Sequence, residues 1–139
     1  MKIKLDPEAK MPTRAHQFDG GMDLYARLEH PVTIPVKGMQ VIDTGVHVQI
    51  PQHFVGLVKS RSGLMCRHRI TTDGVIDCEY NGSIHVALFN HGDDGYIVEP
   101  GDKIAQLVIV PCCLPPLEQV NTLEKTDRGS KGFGSTGKQ

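Results

Sequence analysis

The chain has 139 residues, room for one domain with a real core and little for a second. Fifteen basic against sixteen acidic residues leave a formal net charge of −1, which excludes a general electrostatic grip on nucleic acid, so any phosphate recognition must be local. Fifteen glycines, nine prolines, no tryptophan and an apolar share of 39% point away from a helical bundle and toward short strands joined by tight turns.

In chain order, residues 1–5 hold no long apolar stretch, so neither a signal peptide nor a membrane span is expected and the protein is placed in the cytoplasm. Asp19-Gly20-Gly21-Met22-Asp23-Leu24 reads as a glycine turn delivering Asp23 at a strand start. Pro31 and Pro35 limit residues 31–35 to an edge strand. Val46, Val48 and Ile50 alternate with His47 and Gln49, which predicts a half-buried strand, and residues 54–58 predict another. One short helical turn is expected over residues 64–68, with Ser62 placed to cap it and with Met65 and Cys66 as packing residues. Ile84, Val86 and Leu88 alternate again, and the apolar run over residues 104–110 fits a strand covered on both faces. Turn signals at Lys37-Gly38, Asp73-Gly74, Asn81-Gly82, residues 91–95 and Pro100-Gly101-Asp102 separate these runs. About ten short strands predict an all-β barrel or jelly-roll sheet. Cys66, Cys78, Cys112 and Cys113 make no Cys-x-x-Cys pair and read as reduced thiols, and seven scattered histidines lack zinc-ligand spacing.

Five segments carry chemistry. In Arg128-Gly129-Ser130-Lys131-Gly132-Phe133-Gly134-Ser135-Thr136-Gly137, glycines free backbone N–H groups for phosphate, Arg128 offers a charged fork and Phe133 a stacking face; alone, this is equally a flexible tail or a phosphate clamp. Gly132 to Lys138 mimics a P-loop, but Gln139 replaces the required Ser or Thr and no strand-to-helix context surrounds it. In Gly74-Val75-Ile76-Asp77-Cys78-Glu79-Tyr80-Asn81-Gly82, Asp77 at a strand end is either a partly buried general base or a turn residue, and Tyr80 can wall a sugar pocket. Arg61-Ser62-Gly63-Leu64 is either a local anion site or a capped helix start. Gln106 interrupts an apolar run, so its amide needs a buried partner. Asp23 on its glycine turn completes the set.

Taken together and in this order, the five resemble the five motifs of the trimeric dUTPase family, from Gly20 to Gly137. The resemblance implies a distorted, jelly-roll-like β-barrel over residues 1–126, a glycine-rich lid over residues 127–139, and a homotrimer whose three active sites are each shared between subunits. It also implies hydrolysis of dUTP to dUMP and pyrophosphate, which limits uracil in DNA and supplies dUMP for thymidylate synthesis. By position, Asp77 activates water, Tyr80 packs on the deoxyribose, and Arg61, Ser62, Gly63 and Gln106 hold phosphates. Arg128, Gly134, Ser135 and Thr136 close over the phosphate end while Phe133 stacks on uracil. Asp23 acts indirectly, and Mg²⁺ is held by phosphate and water with no direct protein ligand. Residues 64–76 stand for a short version of the family's uracil-reading hairpin, with base contacts from backbone near Thr72, Asp73 and Gly74.

Two departures from the family pattern read as minor: Ser60 where Pro or Ala is commoner, and Gly21-Met22 in the first motif. The related dCTP deaminase and a nucleotide-sensing protein with a regulatory partner are the competing readings. The Tyr80 segment and the complete tail favour the hydrolase.

Overall fold

The computed structural model describes residues 1–130 and Gly132; Phe133, Gly134, Ser135 and Thr136 therefore lie outside the described residues. Alternating apolar positions build eleven strands among the described residues: β1 (Lys2–Leu5), β2 (Gly21–Tyr25), β3 (Val32–Ile34), β4 (Met39–Asp43), β5 (Val46–Gln49), β6 (Phe54–Lys59), β7 (Ile70–Thr71), β8 (Asp73–Ile76), β9 (His85–Asn90), β10 (Tyr96–Val98) and β11 (Lys103–Pro111). They form four small sheets, ordered β1-β5, β10-β3, β2-β11-β6-β8 and β4-β9-β7, with every pairing antiparallel. The fold is the expected distorted, jelly-roll-like one, although its sheets stay separate and do not close into a continuous barrel. Residues 31–35 behave as predicted, since β3 pairs only with β10.

The inner faces of these sheets meet in one core. Leu24, Ile34, Ile42, Val46, Ile84, Val86, Leu88, Ile104 and Leu107 are fully or almost fully buried there. Each such side chain contributes roughly 1.5–3 kcal/mol of burial free energy. The row Met22, Leu107 and Val58 runs straight across β2, β11 and β6 and seals the sheet that carries the chemistry. The run over residues 104–110 is covered on both faces only at its start: Ile104, Ala105 and Leu107 are buried, whereas residues 108–110 are partly exposed.

Two elements differ from expectation. The helix α1 (Ser62–His68) starts at its anticipated cap, so Ser62 lies inside the helix; Arg61, one residue earlier, takes the extended N-cap conformation and makes no side-chain cap bond. No residue of α1 is buried, so Met65 and Cys66 are exposed rather than packed. Residues 70–76 also form no hairpin. β7 pairs with β9 and β8 pairs with β6, so the chain changes sheets at Thr72, and Asp73-Gly74 lies in a strand instead of a turn.

Candidate functional site

The chemistry-bearing residues gather in two clefts at opposite ends of β6. The first depends on an irregularity in β11. Between Lys103 and Ala105 the register with β2 shifts by one residue. The bulge turns both Ile104 and Ala105 inward and sets Gln106 directly opposite Asp23, with Lys59 of β6 next in the same row. Without it, Gln106 would face Met22 on the core side.

Asp23, the third residue of β2, then holds two cations at once. Arg61 Nε donates to its Oδ1 at 3.0 Å, and Lys103 Nζ lies 2.7 Å from its Oδ2. The Asp23 carboxylate raises the Lys103 pKa, first through that hydrogen bond and then through its charge. Arg61 also donates from Nη1 to the Lys103 carbonyl at 3.3 Å. Side-chain exposure is 15% for Asp23 but 34% for Arg61 and 38% for Lys103, so both cations are more open than the carboxylate that holds them; Arg61 borders this cleft and Lys103 the neighbouring one beside Tyr25. Arg61, so fixed, is a charged donor suited to phosphate, while Asp19, whose carboxylate accepts from the His16 N–H at 2.8 Å, also borders the cleft.

The rest of the lining comes from backbone. Gly20, Gly21, Ser62 and Gly63 border the cleft with Arg61, Asp23 and Gln106. A Cβ placed on Gly20 or Gly63 would meet nothing within 4 Å, so these glycines do not serve packing; they leave backbone N–H groups open to close approach. At Gly21 the constraint is different, because a Cβ would overlap the Gln106 side-chain carbonyl. The predicted partner of Gln106 is the Ser60 carbonyl, which accepts from its Nε2 at 3.0 Å.

The second cleft holds Asp77 and Tyr80 with Phe54, Val55, Cys78 and Cys112. Asp77 follows the last residue of β8 and is exposed in the single chain, where partial burial was expected. A turn returns the Tyr80 N–H to the Asp77 carbonyl at 3.1 Å, and the Tyr80 hydroxyl donates to the Ser83 carbonyl at 2.9 Å. A Cβ on Gly82 would fall 2.5 Å from Tyr80 Cζ, so the ring keeps this place only because residue 82 is glycine.

This loop is tied down behind its functional face. His47 on β5 bonds the Asn81 carbonyl through Nδ1 at 2.8 Å and Asp6 through Nε2 at 3.0 Å. The Asn81 carbonyl, then Asp6, raise its pKa. Asp43 accepts from the Ser83 hydroxyl and from Arg27. Burial opposes ionisation of Asp43, but hydrogen bonds from Ser83, Arg27 and the Gly45 N–H outweigh it and lower the pKa to about 2.

The single chain therefore assembles Asp23, Arg61, Ser62, Gly63 and Gln106 in one place, and Asp77 with Tyr80 in another. Five steps along β6 at ~3.3 Å put the two ends roughly 17 Å apart. Gly74 sits on β8 opposite Val58 and lines neither cleft, and Arg128 is exposed in a bend beyond both. Lys103 and Ser60 are the residues that sequence reasoning misses. Lys103 stands between the Pro100-Gly101-Asp102 turn and Gln106, but the bulge beside it leaves no mark in the spacing. Ser60 reads in the sequence only as a minor departure.

A family model for dUTPase matches residues 7–137. The chain is 40% identical over 141 residues to the deoxyuridine 5'-triphosphate nucleotidohydrolase of Syntrophotalea carbinolica, covering 99% of this chain and 96% of that one. Among solved structures it resembles a point mutant of the phage 80alpha dUTPase, with a TM-score of 0.87, 33% identity and 96% of each chain covered. It also resembles a point-mutant dUTPase of phage phi11 of S. aureus, described with a structural Mg(II) ion, with a TM-score of 0.80, 30% identity, and 89% of this chain and 98% of that one covered.

Proposed function

The chain belongs to the dUTPase family, and from that premise we propose that it hydrolyses dUTP to dUMP and pyrophosphate in a site shared between copies of the chain. One observation carries the reading: a glycine-lined cleft that presents the held Arg61 and an exposed carboxylate beside an aromatic wall stand at opposite ends of one strand. Asp77 accepts a proton from water as its oxygen attacks the α-phosphorus. The bond from that phosphorus to the bridging oxygen breaks, and pyrophosphate leaves. A positioned aspartate base supplies about 10²–10⁴-fold. Arg61, with the Ser62, Gly63 and Gln106 groups, stabilises the charge that develops on the phosphates. Asp23 touches no phosphate in this scheme; it holds Arg61 and Lys103 in position. Tyr80, packed against Gly82, closes the deoxyribose side.

Both Asp23 oxygens are engaged by cations, and among the described residues no three His, Cys, Asp or Glu side chains gather around a metal position. As the family resemblance implies, Mg²⁺ would be carried in by phosphate and water. When bound, Mg²⁺ neutralises charge on the triphosphate. We extend the same reading to the tail, with Arg128, Phe133, Gly134, Ser135 and Thr136 closing over base and phosphates. Truncation after Asp127 is expected to lose most turnover and leave the assembly intact, as read by pyrophosphate release and size-exclusion chromatography.

Attack requires reacting atoms about 3–3.5 Å apart, far less than the length of β6. Asp77, acting through water, and Arg61, acting on phosphate oxygens, have to reach one triphosphate, and Asp77 of a second copy beside this chain's Arg61 would meet that need, which favours the homotrimer. Two exposed apolar features support self-association. Met39, Val41 and Phe89 share the outer face of the β4–β9 pair. Beyond β11, Leu114, Leu117, Val120 and Leu123 recur every third residue and are exposed, the spacing that puts side chains on one edge of a polyproline-II arm. Four free thiols fit a reducing cytoplasm, where dUMP would feed thymidylate synthesis and uracil would be kept out of DNA. The test is pyrophosphate release across dUTP, UTP, dTTP and dCTP. Release from dUTP without ammonia is expected; ammonia release from dCTP would overturn the reading in favour of a deaminase.

A further inference from the structure

His47, on β5, stands between the N-terminal residues and the loop that carries Asp77 and Tyr80, and both of its ring nitrogens face acceptors. Nδ1 lies 2.8 Å from the Asn81 carbonyl, and Nε2 lies 3.0 Å from Asp6 Oδ1. A peptide carbonyl and a carboxylate accept hydrogen bonds and donate none. A neutral imidazole carries one N–H, so neither of its tautomers can make both bonds. Only a ring protonated on both nitrogens does so; in a neutral ring, one lone pair would be turned on an oxygen. Asp6 does not supply the missing proton, because the hydrogen bond from His47 leads the causes that hold its carboxyl below the ordinary value. Around the ring, the Asn81 carbonyl and then Asp6 favour the charged form, while burial and then Lys4, its cross-strand partner, oppose it. Lys4 and Arg27 also reach the Asp6 carboxylate, at 3.8 and 3.9 Å. The loop meets the ring through the Asn81 carbonyl; among the described residues its carboxylates, Asp77 and Glu79, make no bond to it.

We propose that His47 is a positioning residue for the reaction: donating from both ring nitrogens, it clamps the Asn81 carbonyl to Asp6 and so holds the turn from Asp77 to Tyr80 in its working place. The proposal rests on the dUTP-hydrolase reading, which gives Asp77 and Tyr80 their roles. Both residues line the second cleft, whereas Asp6 and His47 line neither and act through Asn81. The other tether of the loop does not share this proton, because the Ser83 hydroxyl donates to Asp43, which stays charged above about pH 4. Tyr80 spans the two tethers, with its N–H on the Asp77 carbonyl and its hydroxyl on the Ser83 carbonyl. Loss of the His47 proton therefore frees the Asp77 side of the turn while Ser83 stays anchored. The clamp is complete below the unfolded histidine value of about 6.5 and is released as pH rises through the higher folded one.

The test compares the wild type with His47→Gln and Asp6→Asn, following kcat for dUTP from about pH 6 to about pH 9. Ring-nitrogen chemical shifts report the His47 proton, and the hydrogen-exchange protection factor of the Tyr80 amide reports the turn. In the wild type, kcat should fall about tenfold as the ring loses its proton, the order of loss that a small displacement of a reacting group brings. Protection at Tyr80 should fall with it. His47→Gln has no proton to lose and should show no alkaline fall. Asp6→Asn keeps the histidine and offers an amide N–H to the bare Nε2 of a neutral ring, leaving Nδ1–H on the Asn81 carbonyl. It should therefore also abolish the alkaline fall in kcat and in Tyr80 protection, a rescue that a purely structural role for His47 would not produce. If His47→Gln does not fold, Asp6→Asn decides the matter alone. An alkaline fall that persists in Asp6→Asn, or a wild-type kcat that stays level while the ring deprotonates, would overturn the proposal. A wild type inactive on dUTP at every pH would overturn the functional reading itself, an outcome distinct from an active enzyme whose rate ignores the His47 proton.

Discussion

At the Arg61 end of β6, the side chains are held before any ligand arrives: Asp23 grips two cations and Gln106 is bonded to Ser60. At the Phe54 end, Asp77 is exposed and its loop is tethered only from behind, through Asn81 and Ser83. Binding phosphate demands fixed charges, and preorganisation removes the cost of arranging them. The general base proposed for the reaction demands a carboxylate that a substrate can reach, which the exposed Asp77 offers. The two ends therefore differ in how much of their geometry one chain can complete by itself.

The largest effect expected from breaking this division is at Asp77. Asp77→Asn should lose about 10²–10⁴-fold in kcat while calorimetry still detects dUTP binding; ordinary turnover would remove Asp77 as the base. Arg61→Ala should lose a comparable ~10²–10³-fold. Unfolding and refolding the two inactive variants together should then restore about a quarter of wild-type activity, because random mixing pairs intact ends from different copies in that share of shared sites. No recovery would mean that each chain uses its own two ends. Gly63→Ala is next: with open space around its Cβ it should fold with an unchanged melting temperature yet raise KM about tenfold, by blocking close approach of phosphate.

The tethers of the Asp77 loop should respond to pH in opposite directions. Asp43 has a folded pKa of about 2, below its unfolded value of about 3.9, so its contribution is present above about pH 4 and is lost as pH falls toward 2. That contribution is roughly 2 kcal/mol, which Asp43→Asn should remove from the difference between urea midpoints at pH 7 and pH 2.5. His47 has a raised pKa, so its support is complete below its unfolded value of about 6.5 and is lost as pH rises through the folded one. His47→Gln should flatten the alkaline side of the same urea profile. The smallest effect belongs to Thr72, whose buried hydroxyl has no partner among the described residues. Thr72→Val keeps both backbone bonds to the Ser60 hydroxyl and should stabilise the chain by about 1 kcal/mol, read from the urea midpoint at pH 7.

Local pattern made much of this legible. Alternation at residues 46–50 and 84–88, the edge strand between Pro31 and Pro35, and the need of Gln106 for a partner all follow from side-chain chemistry along a short stretch of chain. What escaped depends on register between distant strands. The bulge at residues 103–105 recruits Lys103, and the change of sheets at Thr72 replaces an expected hairpin; neither has a local signature. Ser62 reads as a cap because the preference of serine for caps is local, whereas Arg61 is held in the extended N-cap conformation with its side chain on Asp23, 38 residues away. The division of the site between two clefts is likewise invisible in five motifs that merely follow one another.

β6 itself sets a limit on how this protein can change. Point substitutions at one end can be tuned without touching the other, but length cannot. Inserting or deleting one residue within Phe54–Lys59 would reverse which side chains face the core and displace Arg61 from Asp23 while unseating the strand beside Asp77. In an assembly with shared sites, that single lesion would reach two active sites per altered chain. Variation in length is therefore expected to collect in the connecting loops and to be absent from this strand.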